Sequence, residues 1–300
     1  MRFKGLDLNL LVALDVLLAQ KNISHAADSV NLSQSGMSGA LGRLREYFKD
    51  DLLVLVGRNL VLTPLAESLV IPVREVLMSI DSTIVTRPDF NPATDERTYR
   101  ILVSELTMLL LIPTVVRRLA HEAPLIKIEL IAQHTPQEML ERGDADLMLI
   151  PEQFLAPEHP RRKLYEESYE CVVWSENDRY GDTLSFEEYI EAGHVTVQHG
   201  PNHIPAFDGW FLNHYGVLRR TEIMTSNLTF PPLLVVGTQR IATVHKRLAT
   251  KAAAYLPIRI LPPPIDIPPL SQMLQWHKNR SSDPGLMWVC DVLAEEASKV

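Results

Sequence analysis

NLSQSGMSGALGRLREYF, residues 31–48, is the stretch on which the reading of this chain turns. On a helical wheel Met37, Leu41, Leu44 and Phe48 share one face, with Ala40 and Tyr47 beside them. The opposite arc carries Ser35, Ser38, Gly39, Gly42, Arg43 and Glu46. Inside a helix Gly36, Gly39 and Gly42 each cost about 0.5–1 kcal/mol relative to alanine. Gly39 and Gly42 fall on the outer arc, where core packing gives no reason for them. A smooth outer face suits a helix whose backbone presses against a partner, and the B-DNA major groove, about 12 Å wide, admits one.

The segments around this helix complete a small domain. Upstream, Leu10, Leu11, Leu14, Leu17 and Leu18 recur at helical spacing behind Asp7, a candidate N-cap. Ser24 is expected to cap a short second helix, His25–Val30, whose Ala26 and Ala27 allow close helix approach. Ser33 caps the third helix, so the second and third form a helix-turn-helix unit. Downstream, LLVLVGRNLVLT (52–63) places two apolar runs around Gly57–Arg58–Asn59 and predicts a hairpin. Thr63 and Pro64 open a further helix on which Leu65, Leu69, Val73, Val76, Ile80 and Ile84 form an apolar stripe. That stripe predicts a dimerising helix, kinked at Pro72; packing within one chain is the competing reading.

Composition sets the bounds. Hydrophobic residues at 46% and charged residues at 22% describe a globular chain. Net charge is −8, but residues 1–65 hold seven Lys/Arg against six Asp/Glu, leaving 22 against 31 in the rest. A near-neutral head on an acidic body directs any DNA contact to the head. Cys171 and Cys290 stand far apart with no ligand cluster around them, so buried thiols in a reducing cytoplasm are expected. Asp7 and Asp15 interrupt the apolar N-terminus, and Leu106–Val116 is too short to cross a bilayer. A cytoplasmic protein without membrane contact is expected.

After the linker RPDFNPATD (87–95), strands and helices alternate: Tyr99–Ser104, Met108–Ala120, Lys127–Ala132, Pro136–Arg142 and Asp146–Ile150. This βαβαβ order predicts a parallel sheet. The alternation resumes from Cys171–Trp174 to Ile241–Val244, and the proline-rich PIRILPPPIDIPP (257–269) leads to a last strand and helix. Two α/β lobes follow from this, with the chain crossing between them and back.

ISHAADSVNLSQSGMSGALGRLREYF resembles the winged helix-turn-helix signature of the LysR-type transcriptional regulators, matching at Ala26, Ala27, Ser33, Gln34, Ser38 and Leu44. The opening MRFKGLDLNLLVALDVLL and RPDFNPATDERTYRI resemble the nodulation-regulator branch, which includes regulators of aromatic-compound catabolism, and LERGDADLMLI (140–150) is similar to the family's effector domain. The resemblance covers essentially the whole chain. Gly39 and Gly42 depart from it, standing where relatives often carry longer side chains.

The expected architecture is therefore α/β: an N-terminal winged helix-turn-helix (1–63), a linker helix (64–87), a linker (88–98) and a two-lobe, periplasmic-binding-protein-like effector domain (99–300). Lobe 1 is expected at about 99–163 and 268–300, and lobe 2 at about 164–267. The expected DNA-contacting residues are Ser33, Gln34, Ser35, Ser38, Gly39, Gly42, Arg43, Arg45 and the wing-tip Arg58. Ligands of α/β lobes sit at the carboxyl ends of strands. That rule selects Ser104, Thr107, Gln133, Thr135, His203 and Thr229 as ligand-binding candidates. No metal or cofactor is expected, since Gly200 and Pro201 prevent His199 and His203 from sharing a helix face. Nor is an enzyme, because SGMSGA lacks the spacing of a nucleophile elbow. The expected function is a ligand-responsive regulator, dimeric or tetrameric, binding double-stranded promoter DNA and a small aromatic or phenolic effector. A non-catalytic solute-binding protein is the alternative.

Overall fold

The computed structural model describes residues 2–3, 6–7, 9–80, 89–132, 135–198 and 206–300. Gln133, His199, His203 and the expected end of the linker helix at 81–87 lie outside the described residues.

The head opens with an antiparallel pair, β1 (Arg2–Phe3) and β2 (Leu6–Asp7). The Asp7 carboxylate then accepts from the N–H of Asn9, the first residue of α1 (Asn9–Gln20). Helix α2 (Ile23–Ser29) is capped by Asn22, not Ser24: Asn22 Oδ1 accepts from the N–H groups of Ser24 and His25 at 2.9 and 3.1 Å. Asparagine caps as well as serine, so two good caps in succession hid the true start. Helix α3 (Gln34–Phe48) starts at Ser33, whose Oγ accepts from Gly36 N–H at 3.1 Å. Leu14, Leu17, Met37, Leu41 and Leu44 close over Ala26 and Ala27 in one core. Tyr47, expected beside this face, is instead exposed and meets Phe48 edge-on.

Strands β3 (Leu53–Val56) and β4 (Asn59–Leu62) form the predicted hairpin. Its tight turn places φ +63° on Gly57, where a side chain would be strained. Thr63 then ties wing to linker: its hydroxyl accepts from Ala66 N–H and donates to Asp50. Helix α4 (Pro64–Ile80) carries Pro72 in its interior. The predicted stripe divides. Val73 is buried in the head core with Leu69 packed against it, while Leu65 and Val76 stay exposed.

The body contains β5 (Thr98–Val103), α5 (Glu105–Leu110), α6 (Ile112–Glu122), β6 (Lys127–Ile131), α7 (Pro136–Glu141) and β7 (Leu147–Pro151). The single helix expected at Met108–Ala120 is two helices. Ser104 starts the first, and Pro113, lacking an N–H, sits in the first turn of the second. Next come β8 (Arg161–Glu167), β9 (Tyr169–Trp174), α8 (Phe186–Glu191), β10 (His194–Val197), α9 (Ala206–Tyr215), β11 (Thr221–Thr225), α10 (Pro231–Leu234) and β12 (Ile241–His245). Helix α11 (Lys246–Ala253), β13 (Ile258–Leu261), β14 (Leu270–Trp276) and α12 (Pro284–Ala297) complete the chain.

Two five-stranded sheets result, ordered β6-β5-β7-β14-β8 and β11-β10-β12-β9-β13. β5 pairs parallel with β6 and β7, as the βαβαβ order requires, while β14 returns antiparallel between β7 and β8. Because β8 belongs wholly to the first sheet, the first crossing lies at Ser168, later than the expected boundary at 163/164. The second runs through 262–269. Cys171 and Cys290 are buried in separate cores, and burial pushes both thiols up to about 12, so neither is a reactive thiolate.

Candidate functional site

Gln34, Ser35, Ser38, Gly39, Gly42 and Arg43 form an exposed strip along α3. A Cβ built on Gly39 or Gly42 meets nothing within 4 Å, so no neighbour in the chain requires glycine at either position. Ser33 Oγ holds the helix start and lies 3.1 Å from Ser35 Oγ. Arg45 does not join the strip. Its guanidinium turns inward and donates to the carbonyls of Asp51 and Leu53 at 2.7 and 2.8 Å, fastening α3 to the wing. Arg58 is exposed at the wing tip and borders a polar hollow with Lys21 and Asn59. Lys21 escaped the sequence reading because the wing brings it near Arg58 only in the folded head.

Between the two sheets lies a cavity of about 690 Å³. Ser104 and Thr107 line it, as expected. They are already engaged: Ser104 Oγ accepts from Thr107 N–H and donates to Thr107 Oγ1, which also accepts from Gln272 Nε2 at 3.4 Å. Thr135 is exposed beside a lining residue, Pro136, without lining the cavity itself. Thr229 is not in the lining either: its hydroxyl donates to Asn227 at 2.6 Å, and Ser226 and Leu228 take the cavity wall.

The remaining walls are aromatic and charged. Tyr165, Tyr169, Phe154, Phe207 and His245 all face the cavity. Burial raises both tyrosine phenols and lowers His245 to about 4, so these groups are neutral hydroxyls and a neutral imidazole at neutral pH. Arg219, with its side chain 3% exposed, binds Asp208 through two nitrogens and lies over the Phe207 ring. Behind it Tyr189 and Thr243 share a 2.6 Å hydroxyl bond. At the crossing, buried Glu167 pairs with Arg247 at 2.9 Å. Removing Asp208 or Arg247 would strand the buried charge of Arg219 or Glu167 without a partner.

Residues 8–67 match the family described as "Bacterial regulatory helix-turn-helix protein, lysR family", and residues 92–298 match "LysR substrate binding domain". The chain belongs to the LysR family of transcription regulators. It is 42% identical to Nodulation protein D 2 of Rhizobium leguminosarum bv. phaseoli over 301 residues, covering 100% of this chain and 95% of that protein. Full-length OxyR from Pseudomonas aeruginosa shares the fold with TM-score 0.75 at 17% identity, over 97% of this chain and 94% of that one. CbnR solved with its target DNA superposes with TM-score 0.60 at 13% identity, over 97% and 100%.

As a LysR regulator the chain combines a DNA-binding head with an effector-binding body. In the body, sequence reasoning found the floor of the cavity and missed its charged rim. Arg219 is a buried ionisable residue, paired with half-buried Asp208, in a lobe whose strands read as apolar runs, and Glu167 meets Arg247 only across the crossing. One signal was available: Tyr165–Tyr169 and Thr243–His245 are also strand ends.

Proposed function

We propose that this LysR regulator binds double-stranded promoter DNA as a dimer or tetramer and senses a small aromatic or phenolic compound in the cavity between its lobes. The observation that carries the effector class is the wall itself: neutral phenols, an imidazole and a phenyl ring around the Ser104–Thr107–Gln272 hydrogen-bond chain. A cavity of about 690 Å³ falls in the range that encloses a compound of two or three rings. Ser104 and Thr107 remain the ligand hydroxyls, joined by Tyr165, Gln272 and Arg219. Relatives named nodulation proteins favour the same reading over a solute-binding protein.

In the head, Gln34, Ser35 and Ser38 read base edges, Gly39 and Gly42 admit the backbone to the groove, and Ser33, Arg43 and Arg58 hold phosphates. Exposed Leu65 and Val76 of α4 lie on one face and form the subunit seam. The protein works in the cytoplasm, without catalysis; no described helix is long and apolar enough to cross a membrane. Thermal-shift screening of the full chain tests the effector class. An aromatic acid or phenol at about one hundred times its Kd should stabilise the body by about 2.7 kcal/mol. Stabilisation by aliphatic acids alone would refute the aromatic assignment.

A further inference from the structure

Away from the cavity, on the side of lobe 1 that meets the linker helix, three ionisable groups converge. His159 and His277 are fully buried, their rings 4.5 Å apart, and both Nε2 atoms lack a hydrogen-bond partner. Both face the carboxylate of Glu141 at the end of α7, at 3.0 and 3.7 Å. Such a set has the composition of a metal site, and the opposite edges of the rings argue against one. His277 Nδ1 accepts from Asn279 N–H at 3.2 Å, and His159 Nδ1 lies 3.4 Å from Lys278 N–H. A dication on the two Nε2 atoms would move the ring protons to Nδ1, where they would confront those N–H groups. Neutral rings protonated on Nε2 keep both Nδ1 atoms as acceptors and turn their Nε2–H groups toward the Glu141 carboxylate.

An added proton meets the same obstacle, because it too must sit on Nδ1. Protonation therefore opposes the cap of the short turn Lys278–Arg280. That turn grips α4: Asn279 Nδ2 donates to the Glu75 carbonyl at 3.3 Å, and Lys278 Nζ lies 3.5 Å from the Glu75 carboxylate. The turn after Glu141 grips it as well, with Met78 packed on Gly143 and Arg74 at 3.4 Å from Asp144. We propose that Glu141, His159 and His277 form a proton-operated latch, closed at neutral pH, whose protonation releases linker helix α4 from lobe 1.

The charged groups acting on His277 are His159 and Lys278, which oppose its protonation, and Glu141 and Glu75, which favour it. Burial dominates, and together with His159 it holds His277 below the ordinary 6.5. The sign follows. A histidine lowered in the docked state contributes stability in full above 6.5, and loses it as pH falls from there toward the lowered value.

Methyl NMR of the full chain carrying ¹³C-methyl methionine tests this without reference to DNA or effector. The Met78 resonance, assigned by its loss in Met78→Leu, should hold its position above pH 6.5 and move as the pH falls below that value. In His277→Gln the movement should disappear. If the first variant fails to fold, His159→Gln, which removes a group opposing protonation of His277, should shift the transition to higher pH. A Met78 signal that stays fixed, or that titrates unchanged in both variants, overturns the latch. Displacement of that signal by stoichiometric zinc at constant pH would also overturn it, in favour of a metal site.

Discussion

Gly42→Leu separates what α3 needs for its own stability from what its partner demands. A Cβ at this position meets nothing within 4 Å, so the substitution adds no internal clash. Removing a mid-helix glycine then lowers the conformational entropy lost on folding, worth about 0.5–1 kcal/mol. The variant should be slightly more stable than the parent in a urea titration. Against DNA the sign reverses. The isobutyl group stands on the strip between Ser35, Ser38 and Arg43, and the helix can seat in the groove only by lifting or tilting. Lifting weakens the hydrogen bonds to base edges and draws Arg43 and Arg58 away from their phosphates together. Affinity for a promoter fragment, read by fluorescence anisotropy, should fall at least tenfold, about 1.4 kcal/mol or more. The dependence of log K on log salt should flatten by roughly one for each phosphate no longer neutralised. Gly42→Ala, adding one methyl, should fall between parent and leucine. A leucine variant that binds the fragment within about twofold of the parent refutes the close-approach reading of these glycines.

Three further outcomes follow from the same geometry. Arg74→Met strips the partner from Asp15, whose side chain is 12% exposed and whose carboxyl burial has already raised. The cost should be about 1–3 kcal/mol at neutral pH, and should shrink as acid protonates Asp15; a cost that is the same in acid refutes the pairing. Val76→Asp with Ile80→Asp places four carboxylates in a two-fold seam, so sedimentation velocity should show monomers and promoter affinity should fall with assembly. Thr107→Ala removes the hydroxyl shared by Ser104 and Gln272, worth about 1 kcal/mol, or roughly fivefold in effector affinity. Operator binding without effector should be unchanged, and an unaltered effector response would exclude Thr107 from the site.

The head was legible almost residue by residue because its signals are local. The Ser33 cap, the wing turn at Gly57 and the buried face of α3 each depend on neighbours within four positions. Errors arose where a local rule had two solutions or a distant partner intervened. Asn22 and Ser24 are both competent caps, and only the fold selects Asn22. Arg45 reads as a free basic residue until the wing supplies the carbonyls of Asp51 and Leu53. The α4 stripe reads as one face because its periodicity does not reveal that the head claims Leu69 and Val73. In the body the strand-end rule placed Ser104 and Thr107 at the cavity and failed for Thr135 and Thr229. Arg219, Glu167 and Gln272 were beyond it, since only the fold brings them to the cavity wall or sets their partners there.

The two crossings between the lobes constrain motion as two pins constrain a door. At Ser168 only one residue separates β8 of one sheet from β9 of the other, and its carbonyl is held by Lys246 N–H at 2.9 Å. The return segment, 262–269, is rich in proline, whose φ is fixed by its ring. With Arg247 clamping Glu167 beside the first pin, few soft torsions remain to absorb a displacement. Two crossings so restrained favour rotation of the lobes about the line joining them over sliding or shear. A compound bound at the site proposed between the lobes would spend its binding free energy on turning that axis instead of distorting strands. A small angle at the axis becomes a larger displacement at the far surface of each lobe, where lever length sets the gain.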